Sequence, residues 1–275
     1  MLRKKLTGAA LLALLPLAVP ARAQTADELV AKNIAARGGL DKLKAVQTVR
    51  MTGKMTMGPM EAPFTLEMKR PKNLRAEFVV QGMTGVQAYD GKTAWFVMPF
   101  MGKKDPEVAP AEETKEADEQ ADFDGPLVDY KNKGNTVELV GKDKVEGADV
   151  YKLKVTLKGG EVRYLYLEAD SFLEIKTEAK RNVRGSDVEF ESSIGDYKEI
   201  GGLMIPFAIE NSPKGSPQKQ KITFDKVEFN VPIEDARFKM PEVKPEPASP
   251  APTKKPDDAK KPEEKKPETK QPGGR

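Results

Sequence analysis

Apolar and polar residues alternate along most of this chain with a period of two, the spacing of strands that have one dry face and one wet face. In MTGKMTM, Met51, Met55 and Met57 alternate with Thr52, Lys54 and Thr56; in APFTLEMKR, Phe64, Leu66 and Met68 alternate with Thr65, Glu67 and Lys69. Patterns of this kind predict strands at 47–57, 62–70, 73–81, 84–90 and 93–98, and again at 136–145, 149–158, 161–168, 172–181, 186–194, 203–211 and 219–229. Gly58-Pro59, Gly82, Asp90-Gly91, Gly159-Gly160 and Gly185-Ser186 punctuate them, Asp90-Gly91 being the strongest hairpin signal. One-sided strands joined by short turns build an antiparallel sheet. TAWFVMPF breaks the alternation: Trp95, Phe96, Val97 and Met98 are all apolar, as in a strand buried on both faces or exposed at a binding mouth.

Helical spacing is confined to a few stretches. Thr25 to Arg37 opens with a capping-box pattern, Thr25 followed by Glu28, and stops at Gly38-Gly39. Leu40 to Val46 offers a second short helix with Leu40, Leu43 and Val46 on one side. Both are placed to cover one opening of the sheet, and they can also line a cavity beneath it. The stretch 103–124 interrupts the strands with nine acidic residues against three lysines. It reads either as a disordered acidic loop or as a lid or binding loop, with a solvated helix over 111–122 whose weak apolar spacing is Ala117 and Ala121. Its carboxylates lack the spacing and turn glycine of an EF-hand, and no metal site is predicted. Phe123 to Tyr130 reads as a short helix or turn, and Ile233 to Met240 as a closing turn.

The two ends differ from the rest. Arg3, Lys4 and Lys5, the apolar run Leu6 to Val19 and the Ala21-Arg22-Ala23 site predict a secretory leader (1–23) cleaved after Ala23. The main domain is expected over 24–240, and a Pro-, Lys- and Glu-rich tail over 241–275, with nine prolines, reads as extended and unfolded. The leader carries four basic residues and no acids, so its removal leaves 42 basic against 43 acidic residues, a formal charge of −1. No basic stripe remains for a nucleic acid. The leader predicts a soluble periplasmic protein, with secretion from the cell as second choice.

Composition narrows the chemistry. The chain has no histidine and no cysteine, which removes His-based triads, His and Cys metal sites, and disulfides. A hydrolase would depend on carboxylates such as Asp90 or Asp196, yet both sit beside turn glycines that explain them more simply. The reading is therefore a binding protein rather than an enzyme, with no cofactor. Eight of the eleven methionines fall between Met51 and Met101. Methionine adapts to irregular space and to ligands of variable shape, whereas a uniquely packed core favours branched side chains. These methionines are thus either core filler or the wall of an apolar cavity. In the cavity reading the inward residues of the first strands are Met51, Met55, Met57, Phe64, Leu66, Met68, Phe78 and Val80, followed by Trp95, Val97, Phe190, Phe207 and Ile209.

Several phrases carry a resemblance: AARGGLDKLKAVQTVRMTGK after the leader, YDGKTAWFVMP in the first half, and FDGPLVDYKNKG at the start of the second. VELVGKDKVEGADVYKLKVTLKGG, DYKEIGGLMIPFAIE and FNVPIEDARFKMP complete it. Together, 25–240 resembles the LolA/LolB-like family of outer-membrane lipoprotein-sorting proteins. The resemblance implies an α+β, mostly β fold: a half-open, strongly curved antiparallel barrel of about eleven strands, with helices covering a concave apolar cavity. It also implies a monomeric carrier that binds lipid or lipoprotein acyl chains noncovalently and exchanges them with membrane-associated donor and acceptor proteins. The acidic insert and the tail have no counterpart in that pattern. An envelope sensor or protein-interaction module on the same scaffold is the alternative, with the insert or tail as its contact.

Overall fold

The chain was analysed as a computed structural model that describes residues 24–183 and 186–242. The expected leader, Gly185 of the Gly185-Ser186 signal, and the tail beyond 242 lie outside the described residues. The alternating stretches form a single antiparallel sheet in the order β6-β5-β4-β3-β2-β1-β13-β12-β11-β10-β9-β8-β7. One wing is the meander β1 (Thr48–Met57), β2 (Met60–Lys69), β3 (Asn73–Val80), β4 (Met83–Tyr89), β5 (Ala94–Met98) and β6 (Lys103–Val108). The other runs through β7 (Thr136–Val145), β8 (Ala148–Thr156), β9 (Val162–Glu168), β10 (Glu174–Val183), β11 (Ser186–Ile200), β12 (Leu203–Pro213) and β13 (Gln220–Phe229). β1 pairs with β13, from Val49 opposite Phe229 to Met57 opposite Gln220, and so joins the wings. The sheet has thirteen strands rather than about eleven, is strongly curved and does not close.

Two strands depart from the sequence reading. β6 forms inside the acidic stretch, where KKDPEV shows no apolar alternation. It pairs only with β5 at the sheet edge, where Pro106 can sit without breaking a second ladder. β11 continues to Ile200 although Gly195 and Asp196 resemble a stop. Asp196 takes a left-handed φ of 51° within the strand, so the turn residues twist it instead of ending it.

Gly53 shows how tightly the wings meet. A Cβ there would lie 1.9 Å from the Thr223 carbonyl oxygen of β13. The missing side chain is replaced by Phe64 and Phe224, which pair with Gly53 from either side and whose rings approach to 6.1 Å.

Three helices lie on the concave side. In α1 (Ala26–Ala36) the Thr25 hydroxyl accepts from the Glu28 N–H at 3.2 Å, and the Glu28 carboxylate accepts from the Thr25 N–H at 3.0 Å, completing the predicted capping box. Thr25→Ala is expected to cost about 1 kcal/mol of unfolding free energy, read from the shift of a urea transition. The end of α1 is docked onto the β11–β12 turn: Met204 N–H donates to the Arg37 carbonyl at 3.1 Å. A Cβ on Gly38 would meet the Gly202 carbonyl oxygen at 2.2 Å, so glycine is required at this approach. α2 (Leu40–Ala45) buries Leu43, and Val46 just after it, but leaves Leu40 exposed.

α3 (Ala111–Gln120) is the helix foreseen over the acidic stretch. It belongs to the one connection that runs from one edge strand, β6, to the other, β7. Ten residues of helix span about 15 Å, and ion pairs hold both flanks. Asp118 accepts from Lys72 at 2.7 Å and from the Tyr89 hydroxyl at 3.0 Å on the β3–β4 side. Lys115 pairs with Glu161, and Glu119 with Arg163, on the β8–β9 side. Ala117 and Ala121 pack on the core below.

The convex face of the first wing is covered by the segment 231–240. Buried Glu67 accepts from Arg50 at 2.8 Å and from Arg237 at 2.6 Å, while Trp95 Nε1 donates to the Phe238 carbonyl at 2.8 Å. Val86, Ala88 and Trp95 form a small core there, with Val97 and Met240 against it. Trp95 and Val97 therefore face away from the concave side, in contrast to the sequence reading. Every residue of β5 is at least partly buried, which is why TAWFVM does not alternate.

Candidate functional site

β12 and β13 begin as ladder partners and then separate. They pair only from Ala208 opposite Thr223 to Asn211 opposite Gln220. Beyond that, β13 stays with β1 and β12 stays with β11 as far as Leu203 opposite Ile200. The divergence has local causes: Pro206 has no N–H to donate, and the Met204 N–H is taken by the end of α1. A gap opens on the concave side and forms a cavity of about 320 Å3.

Its floor is the sheet. Val49 and Met51 of β1, Leu66 and Met68 of β2, and Phe224 and Phe229 of β13 lie on one side. Leu203, Ile205 and Ile209 of β12 face them with Ile194 of β11. Leu43 comes from α2 and Val46 from just after it, and Phe123, Pro126 and Leu127 from the turn after α3 form the roof. The wall is apolar except at one end, where Asn33, Arg37, Glu174 and Tyr197 converge.

The roof is held by one buried carboxylate. Arg70 grips Asp124 bidentately, Nη1 to Oδ2 at 2.8 Å and Nη2 to Oδ1 at 2.6 Å, and Lys44 donates to Oδ2 at 2.8 Å. The same guanidinium donates to the carbonyls of Val46 at 2.7 Å and Leu43 at 3.0 Å, and stacks over the Phe123 ring. α2 and the roof turn are thus tied to the end of β2 through Arg70. Burial alone would raise the Asp124 pKa, but the hydrogen bonds and charges of Arg70 and Lys44 outweigh it and hold it at about 2.

At the polar end, burial pushes the Glu174 carboxyl up, against a hydrogen bond from Thr177 and the positive charges of Arg37 and Arg163. Tyr197 donates to the Glu174 carbonyl at 2.7 Å, and burial, then the Glu174 charge, raises its phenol above the usual range.

The sequence-predicted residues separate into three groups. Met51, Leu66, Met68 and Ile209 line the cavity. Met55, Phe64 and Phe207 are buried in the same core, with Phe78 packed against it, one layer away from the opening. The others lie elsewhere. Met57 shares the inward parity but sits at a hairpin tip and is 46% exposed, and Val80 ends β3 at a neighbouring tip. Trp95 and Val97 are on the convex face, and Phe190 pairs with Pro213 outside the lining. Sequence reasoning named Leu43 and Val46 as one side of a covering helix able to line a cavity, but not the roof residues or the polar end. FDGPLV was the local cue for the roof, but nothing local links Arg37 with Glu174 and Tyr197.

A second cavity of about 340 Å3 lies between α3 and β4–β5, edged by Gln87, Glu113, Glu116 and Gln120. Its polar rim makes it less suited to an apolar ligand than the first.

No family model matches the sequence, and no curated protein does. Solved structures do. A LolA superfamily protein from Nitrosomonas europaea aligns with a TM-score of 0.53 at 15% identity, over 79% of this chain and 98% of that one. A DUF1329 family protein from Desulfovibrio piger aligns at 0.54 and 14% identity, over 78% and 97%. A domain from Vibrio parahaemolyticus described as an outer membrane lipoprotein-sorting protein aligns at 0.53 and 12%, over 78% and 95%. At such identities the likeness is one of fold. The chain has the LolA-like fold, a curved open antiparallel sheet with helices on its concave side.

Proposed function

We propose that the protein is a periplasmic carrier that holds acyl chains of a lipid or lipid-modified protein in this cavity, without making or breaking a bond, and passes them toward the outer membrane. The observation that carries this reading is the apolar gap between β12 and β13, roofed by α2 and the 123–127 turn. Its volume lies at the lower end of the range of small-molecule sites, about 300–1,000 Å3. Each methylene moved from water into such a wall contributes about 0.8 kcal/mol. Met51 and Met68 can adjust to chains of different branching. The fold is one that lipoprotein-sorting proteins also use, and the leader signal at 1–23 supports export.

Native mass spectrometry of the whole protein, purified gently from a bacterial periplasm, tests the proposal. The expected result is a polypeptide mass beginning at Gln24 together with an adduct that extracts into organic solvent as a lipid or acylated peptide. An unliganded mass, with no uptake of fluorescent fatty-acyl probes, would reject the carrier and turn attention to protein partners.

A further inference from the structure

The polar end of the cavity is more than the packing of an acyl chain requires. Among the residues that line the cavity, Arg37 is the one cation and Glu174 the one acid. Arg37 Nη1 donates to the Asp124 carbonyl at 2.8 Å, and among the described residues the guanidinium makes no ion pair. Its remaining N–H groups are therefore available at the wall of the slot, where Arg37 is half-buried. The other polar groups are already committed in part. Asn33 Nδ2 donates to the Phe172 carbonyl at 2.9 Å, Tyr197 donates to the Glu174 carbonyl, and the Thr177 hydroxyl donates to Glu174 Oε1. Arg163, the other cation near Glu174, is paired with Glu119.

We propose, building on the carrier reading, that this end receives the ionised acid head of a single-chain amphiphile, a carboxylate or a phosphate monoester. Arg37 supplies the counter-charge, and the chain lies along Met51, Leu66, Met68 and Ile209. The planar guanidinium fork matches either head bidentately. Glu174 faces the same end, and burial favours its neutral form. When protonated, it can donate its O–H to the bound anion instead of repelling it. Were Glu174 ionised with a ligand in place, it would neutralise Arg37 and the site would favour an uncharged head. The head-group chemistry therefore depends on this pair and is open to measurement.

The test is displacement of a neutral naphthylamine fluorophore from the whole protein at neutral pH by dodecanoate, dodecyl phosphate or methyl dodecanoate, each below its micellar concentration. The acids are expected to bind at least about tenfold more tightly than the ester. Which acid is preferred separates a fatty-acid source from a phosphate one. Arg37→Gln is expected to abolish the preference, and Glu174→Gln, a neutral isostere, is expected to keep it. Equal binding of acid and ester by the native protein overturns the head-group proposal and leaves the lipid cavity standing. Failure of all three ligands overturns both. The native comparison decides the question even if Arg37→Gln does not fold.

Discussion

Asp124→Asn is expected to destabilise the protein by about 2–4 kcal/mol, because it strands two cations around a buried site. Arg70 would lose the charge of its bidentate partner, and Lys44 one of its two carboxylates, leaving Asp129. The effect has a predictable pH dependence. The Asp124 pKa falls from an ordinary 3.8 to about 2 on folding. The folded state therefore binds this proton less readily than the unfolded chain. The corresponding stabilisation, about 2 kcal/mol, is fully present above about pH 4 and is lost as pH falls through about 2. Urea transitions of the native and substituted proteins should thus differ most near neutrality and converge in acid. A constant gap across that range would show that the carboxylate acts through packing, not charge. Since Asp124 also fixes the roof, the variant should bind acyl probes less tightly at temperatures where it remains folded.

Ile209→Trp should have the largest effect on binding. Ile209 sits at the last stretch where β12 still pairs with β13, opposite both Ile194 and Ile222, and it lines the cavity where the gap begins. An indole there would fill the slot that a chain must enter. Affinity for a fluorescent fatty-acyl probe is expected to fall by about a hundredfold, equivalent to roughly 2.7 kcal/mol. Overpacking at this partly exposed position should cost no more than about 1–3 kcal/mol of stability. Met57→Ala, at an exposed hairpin tip, serves as the control and should leave binding unchanged. Undiminished probe uptake by the tryptophan variant would place the ligand elsewhere, with the α3 cavity the next region to probe.

The parts that could be read from the sequence were those set by local rules. A period of two located the wings because one face of most strands is wet, and it assigned Met51, Leu66 and Met68 to the correct face. The same parity misplaced Met57, since alternation gives a side but not how far the helices extend over it. Trp95 and Val97 could not be assigned because the segment 231–240 dries the second face, an arrangement set by Glu67, Arg237 and Phe238 far along the chain. β6 escaped because an edge strand can be held by backbone bonds alone. The cavity itself follows from where β12 leaves β13, and its polar end from Asn33 and Arg37 meeting Glu174 and Tyr197 at one wall. Such long-range geometry leaves no periodic trace.

The junction of the two wings also determines when the molecule can be finished. β1 is made first and finds β2 across a tight turn, yet its other neighbour, β13, is the last of the described strands, with Val49 waiting for Phe229. Contacts so far apart in sequence are slow to form, because a long loop must close before they yield any stabilisation. Until then the first wing carries an unpaired, methionine-bearing edge in the middle of what will become the sheet. A chain released before β13 would therefore be a template for strand addition rather than a smaller version of the same fold.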